Sequence, residues 1–137
     1  MDYKELVKLA NKAKDNAYVP YSGFNVGSAL LTKKGNIYTG VNVENVSYSP
    51  TICAESTSIV KAVSEGEQEF SAIAVISNSK DYTMPCGVCR QRLYEFGNDI
   101  DVICANNKLE YVVYTIEELL PKGFNKESLA KGKPIGK

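Results

Sequence analysis

Three cysteines and one glutamate hold the chemical potential of this chain. Cys86 and Cys89 stand in Pro85-Cys86-Gly87-Val88-Cys89, and Cys53 stands in Cys53-Ala54-Glu55. A Cys-x-x-Cys at the start of a helix points two sulfurs toward one place, and the free N–H groups and dipole of the helix N-terminus stabilise thiolates there. A third thiolate from the start of another helix would give Zn²⁺ three protein ligands. Its fourth tetrahedral position would be left to water, the arrangement of a catalytic rather than a structural site. Zinc lowers the pKa of such a water to about 7.

Other readings stand beside this one. A Cys-x-x-Cys alone is also the pattern of a thioredoxin-like redox pair. A structural zinc site would need a fourth protein ligand, and Cys104 is the remaining thiol; its place in Val102-Ile103-Cys104 makes a buried core cysteine the simpler expectation. Glu55 taken alone is a first-turn glutamate of the kind the helix dipole favours, and its interest comes from its neighbours. The chain has no histidine. That excludes a Ser-His-Asp triad, a Cys-His dyad and every histidine-ligated metal site within the chain, so proton transfer falls to a carboxylate, thiol, amine, tyrosine or metal-bound water. Asn42 and Glu44 lie two apart at a strand end and so share a face. An amide beside a carboxylate can bind sugar hydroxyls, although two polar residues on an exposed strand end would look the same.

Positioning such residues requires a compact scaffold. With 137 residues, 44% of them hydrophobic, the chain can bury one substantial core and reads as a single domain, 1–137, with a loosely ordered tail over about 126–137. Leu6, Ala10, Ala13 and Ala17 predict an amphipathic helix over 2 to about 17, closed by Pro20. Runs at 24–32 and 37–43, joined by Lys33-Lys34-Gly35-Asn36, predict a hairpin. A second helix is expected over 53–64, and the unbroken apolar run 72–76 reads as a central strand covered on both faces. A third helix follows Pro85, with Cys86, Cys89, Leu93 and Phe96 on one face and Gly97 at its end. Strands are expected at 101–105 and 111–115, and a short helical stretch around 126–131. This order predicts a three-layer α/β/α sandwich around a five-stranded mixed sheet.

The 16 basic residues balance the 16 acidic ones, which favours a small or neutral partner over nucleic acid or a membrane surface. The opening residues contain no basic stretch followed by an apolar run, so the expected location is cytoplasmic, where cysteines stay reduced.

Cys-Ala-Glu followed by Pro-Cys-Gly-x-Cys-Arg-Gln resembles the small homotetrameric zinc-dependent cytidine deaminases. Tyr18-Val19-Pro20-Tyr21-Ser22, Phe24-Asn25-Val26-Gly27, Asn42-Val43-Glu44-Asn45 and Glu118-Leu119-Leu120-Pro121 with Phe124 extend the resemblance over about residues 15–125. The resemblance implies one Zn²⁺ per subunit on Cys53, Cys86 and Cys89. It also implies zinc-activated hydroxide attack at C4 of free cytidine or deoxycytidine in pyrimidine salvage, with Glu55 as proton shuttle. It assigns Asn42 and Glu44 to the ribose, Phe24 to the base, Ala54 to the substrate and Phe124 to a neighbouring subunit's site. A homotetramer with active sites at subunit interfaces follows from the same likeness.

One departure stands out. Most members of that family carry arginine after Cys-Ala-Glu, where this chain has Ser56. Three thiolates on Zn²⁺ leave one net negative charge, and the helix N-termini, the Ser56 hydroxyl and Arg90 are the candidates to offset it. A blasticidin-S-type deaminase, which also lacks that arginine, is a second reading. The intact Asn42-Val43-Glu44-Asn45 and Val88 favour cytidine. A catalytically silent zinc-binding assembly module is the third reading.

Overall fold

The computed structural model describes residues 1–129. Helix α1 (Tyr3–Lys14) starts where the Asp2 carboxylate accepts the Lys4 amide, with Glu5 in its first turn and Lys12 and Lys14 in its last, each placed to suit the helix dipole. It ends earlier than its apolar spacing predicts. The Tyr18 amide bonds the Asn42 carbonyl and Tyr18 bridges to Val43, so the chain leaves the helix before Ala17, and Val7 joins Leu6 and Ala10 as its buried stripe.

Strands β1 (Val26–Thr32) and β2 (Ile37–Val41) form the expected antiparallel hairpin, whose turn holds Gly35 at φ +91°. Both strands are shorter than predicted at the site end. Residues 24–25 and 42 are loop and Val43 leaves the hairpin to bridge Tyr18 and Ile52, while the Asn42 side chain takes the place of a ladder partner: its Oδ1 accepts the Val26 amide and its Nδ2 donates to the Phe24 carbonyl. Helix α2 (Ala54–Ser64) leads to β3 (Phe70–Ser77), α3 (Gly87–Tyr94), β4 (Asp101–Ala105) and β5 (Tyr111–Thr115). The sheet order is β2-β1-β3-β4-β5, with β3 and β4 parallel and the other neighbours antiparallel.

Alternation along the central strands builds two cores, as expected for a sheet covered on both faces. Ala29, Ala72, Ala74, Ile76, Ile103 and Ala105 meet Leu6, Val7 and Ala10 of α1, while Leu30, Ile73, Val102 and Cys104 meet Ile59 and Ala62 of α2 and Leu93 and Tyr94 of α3. The three-layer sandwich around a five-stranded mixed sheet is therefore present, with Cys104 buried in the core.

Two further differences bear on the site. Helix α3 begins only after Cys86 and stops at Tyr94, so Cys86 is its cap, and Phe96 packs beyond it against Phe70 with ring centroids 5.0 Å apart. A short helix, α4 (Ile116–Leu119), was not anticipated. Its capping box, in which Thr115 and Glu118 satisfy each other's backbone amides, is a sequence signature that the adjoining strand-like run obscures. Residues 126–129 form a helical turn, and the remainder of the expected tail lies outside the described residues.

The glycines show how tightly α2 is set against the hairpin. A Cβ on Gly40 would stand 2.4 Å from the Ala54 carbonyl oxygen and 2.6 Å from the Ser58 amide nitrogen, so β2 and the first turns of α2 touch backbone to backbone. Ser28 Oγ adds a bond of 2.7 Å to that same Ala54 carbonyl. Gly40→Ala is expected to push α2 away and cost about 1–3 kcal/mol, read as a lower thermal midpoint and reduced metal content. Gly87→Ala, whose Cβ would meet nothing within 4 Å, is expected to leave stability unchanged or slightly raised.

Candidate metal centre and active-site pocket

Both helices that face the pocket open on a cysteine instead of the usual hydroxyl, carboxylate or amide cap. Cys53 caps α2 and Cys86 caps α3, each in extended conformation and neither spending its side chain on its own helix. Cys89 sits in the first turn of α3. The three sulfurs lie within 4.8 Å of one another, with Cys53 and Cys86 3.6 Å apart. Tetrahedral zinc with Zn–S bonds of about 2.3 Å requires sulfurs about 3.8 Å apart, so the cluster has the dimensions and the donor set of a zinc site. Cys53 is half-buried, Cys86 exposed and Cys89 buried, which leaves the cluster open on one side; all four cysteines are free thiols.

Glu55 is 4% exposed, and burial pushes its carboxyl above the usual range, against the pull of its own backbone amide and of Cys89. Cys53 and Glu55 nonetheless face the same pocket. Residues two apart within a helix would diverge, but Cys53 is an extended cap and only Glu55 is helical. The neighbouring Cys53 sulfur, burial and the Glu55 charge hold the Cys89 thiol well above its ordinary range, with the Ser56 hydroxyl working the other way. Such a cluster becomes thiolate readily only when a cation binds.

The pocket, about 220 Å³, is lined by Phe24, Asn42, Glu44, Cys53, Ala54, Glu55 and Cys86. Cys89 lies behind this lining. Phe124 is elsewhere, 59% exposed, with its carbonyl accepting Gln91 Nε2 at 2.7 Å. Asn42 and Glu44 have a structural task that their spacing does not reveal. Glu44 accepts the Tyr21 and Ser22 amides at 3.0 and 3.2 Å and the Ser22 hydroxyl, while Asn42 ties down Phe24 and Val26. The Ser22 hydroxyl first, with these amides behind it, keeps the Glu44 carboxyl below its ordinary range, against the opposing effect of burial. An amide has two lone pairs and two N–H bonds, so Asn42 keeps one of each for a ligand.

Arg90 does not reach the sulfurs. Its Nε donates to the Pro85 carbonyl at 2.8 Å and its Nη1 to the Leu119 carbonyl at 2.9 Å, clamping the loop before Cys86 to the end of α4. The arginine that does approach is Arg92, whose Nη1 donates to Ser56 Oγ at 2.6 Å; that oxygen lies 3.3 Å from Cys89 Sγ. Its one available signal in the sequence was its position three residues after Cys89, which places both on neighbouring helical surface.

A family model described as the cytidine and deoxycytidylate deaminase zinc-binding region matches residues 1–105. The chain is 46% identical over 131 residues to a cytidine deaminase of Sporosarcina psychrophila, covering 95% of this chain and 96% of that protein. It superposes with a TM-score of 0.87 on the crystal structure of cytidine deaminase from Burkholderia pseudomallei, at 39% identity, covering 90% of this chain and 100% of that one. A blasticidin-S deaminase of Bacillus cereus is 35% identical over 126 residues, 85% of this chain and 88% of its own length.

The purified protein is expected to hold one zinc per chain by elemental analysis. Cys89→Ala should abolish that uptake, whereas Cys104→Ala should leave it intact and cost about 1 kcal/mol of stability as a small core truncation.

Proposed function

The chain belongs to the cytidine and deoxycytidylate deaminase family, and we propose from that premise that it hydrolyses the amino group from free cytidine or deoxycytidine, giving uridine or deoxyuridine and ammonia. The observation that supports this most directly is the meeting, in one pocket, of the cysteine cluster with a buried carboxylate and the Asn42–Glu44 pair.

Cys53, Cys86 and Cys89 would hold the zinc, which when bound would supply a Lewis acid able to make water nucleophilic near neutral pH. Glu55 handles the protons. Raised by burial, its carboxyl can accept a proton from the water and deliver it to cytosine N3, then take the remaining proton of the hydroxyl added at C4 and hand it to the departing amine, leaving a carbonyl at C4 and ammonia. Ala54, fully buried at the start of α2, supplies backbone rather than bulk at the pocket wall. Phe24 offers an apolar face to the base, and the remaining donors and acceptors of Asn42 and Glu44 suit ribose hydroxyls. The Ser22 and Asn42 bonds keep that wall in place before substrate arrives, which reduces the ordering cost of binding. The higher identity to a cytidine deaminase than to the blasticidin-S enzyme favours the nucleoside as substrate.

The same reading includes a homotetramer. A largely apolar groove between α2 and α3, lined by Ile59, Val60, Val63 and Phe96 together with the exposed Arg92 and Glu95, is open in the single chain, and Phe124 is exposed where a neighbouring subunit's pocket could take it. A cytoplasmic setting fits the free cysteines, and no helix among the described residues is long and apolar enough to cross a membrane. The balanced charge gives no support to nucleic acid as substrate.

Ammonia release from cytidine, followed with the ultraviolet change from cytosine to uracil, tests the assignment. Glu55→Gln at matched zinc content is expected to lower kcat by about 10²–10⁴; unchanged turnover would remove Glu55 from the reaction. Sedimentation equilibrium is expected to return four chains per particle, and a monomer that deaminates at full rate would contradict the shared site.

A further inference from the structure

A divalent cation held by three thiolates is one negative charge in excess. Such an assembly, half enclosed by protein, needs a nearby positive charge. Arg90 is spent on two carbonyls. Arg92 takes no carboxylate as an ion-pair partner among the described residues. Its guanidinium is aimed instead at Ser56, a fully buried hydroxyl on α2, and through it at Cys89, a fully buried sulfur on α3.

We propose that Arg92 is the counter-charge of the metal cluster, acting through the Ser56 hydroxyl on the sulfur of Cys89. This rests on the zinc reading of the three cysteines. The direction of the hydrogen bonds makes the relay specific. An arginine only donates, so the Ser56 oxygen must accept from Arg92; a metal-bound cysteine sulfur carries no proton, so the Ser56 hydrogen must go to Cys89. The guanidinium thus polarises the hydroxyl toward the sulfur, and the hydroxyl withdraws charge from it. The ligand is oriented, and the excess charge of the loaded cluster is offset without the arginine entering the pocket, whose lining does not include it. Arg92 is therefore a positioning residue. It contacts neither metal nor substrate. The relay also joins α2 to α3, the two helices whose first residues supply the ligands.

The test is zinc affinity, measured by competition with a chromophoric chelator, together with the sulfur-to-cobalt charge-transfer band of the Co²⁺-substituted protein. Arg92→Ala and Ser56→Ala are each expected to weaken zinc about tenfold, within the range usual for groups that orient a metal ligand, and to shift the cobalt band. The double variant is expected to be no weaker than the weaker single one, because both break the same chain. Arg92→Gln guards against simple misfolding: it keeps a polar, helix-compatible side chain but neither the charge nor the reach to Ser56, and should weaken zinc while retaining the wild-type melting profile of the metal-free protein. Arg92→Lys should recover part of the affinity. Wild-type affinity and an unmoved cobalt band in Arg92→Gln, or losses that multiply in the double variant, would overturn the proposal. A wild type that takes up no zinc would instead remove the metal site itself, and the proposal with it.

Discussion

Three thiolates cannot share a space less than 5 Å across unless a cation binds among them, and the rest of this molecule is arranged to make that meeting possible. Two helix starts, α2 and α3, are brought side by side, and each contributes its cap residue to the cluster. The sheet does the aligning. Its β2 edge fixes α2 through the glycine contact at Gly40, and parallel β3 and β4 carry the crossover that contains α3. Cysteine in place of an ordinary cap gives up local helix stability at two sites and places the sulfurs where the amide groups of both helix starts favour negative charge.

Around this centre, polar groups serve both scaffold and chemistry. Asn42 and Glu44 hold the Tyr21–Val26 loop through its backbone and still face the pocket. Loop order and the shape of the pocket wall are thereby coupled, so substitutions there should move both together. Arg90 plays the corresponding part on the opposite side, bracing the loop before Cys86 against α4. Glu55 is the contrasting case: it is buried, and its altered proton affinity is a property of its surroundings.

Much of this was legible from residue types. The hairpin, the buried central strand, the two late strands and the cysteine cluster all follow from periodicity, turn residues and ligand spacing, since each is a local pattern with a strong physical cause. Failures fall where tertiary contacts override local preference. Helix α1 stops early because Tyr18 is recruited by Val43, which leaves the hairpin for that bridge, and positions 24–25 and 42 become loop because the Asn42 side chain replaces backbone pairing. Arg92 was not legible for the same reason. Its role depends on Ser56, 36 positions away, and only the docking of two helices brings them together, whereas Arg90, adjacent to a ligand in sequence, points elsewhere.

Catalysis in this pocket requires the cysteine cluster to be an open three-sulfur zinc site. X-ray absorption at the zinc edge of the purified protein measures this directly. Three sulfurs at about 2.3 Å and one lighter oxygen ligand at about 2.0 Å are predicted. Four sulfur ligands would mean a closed structural site, and their detection would contradict the catalytic reading.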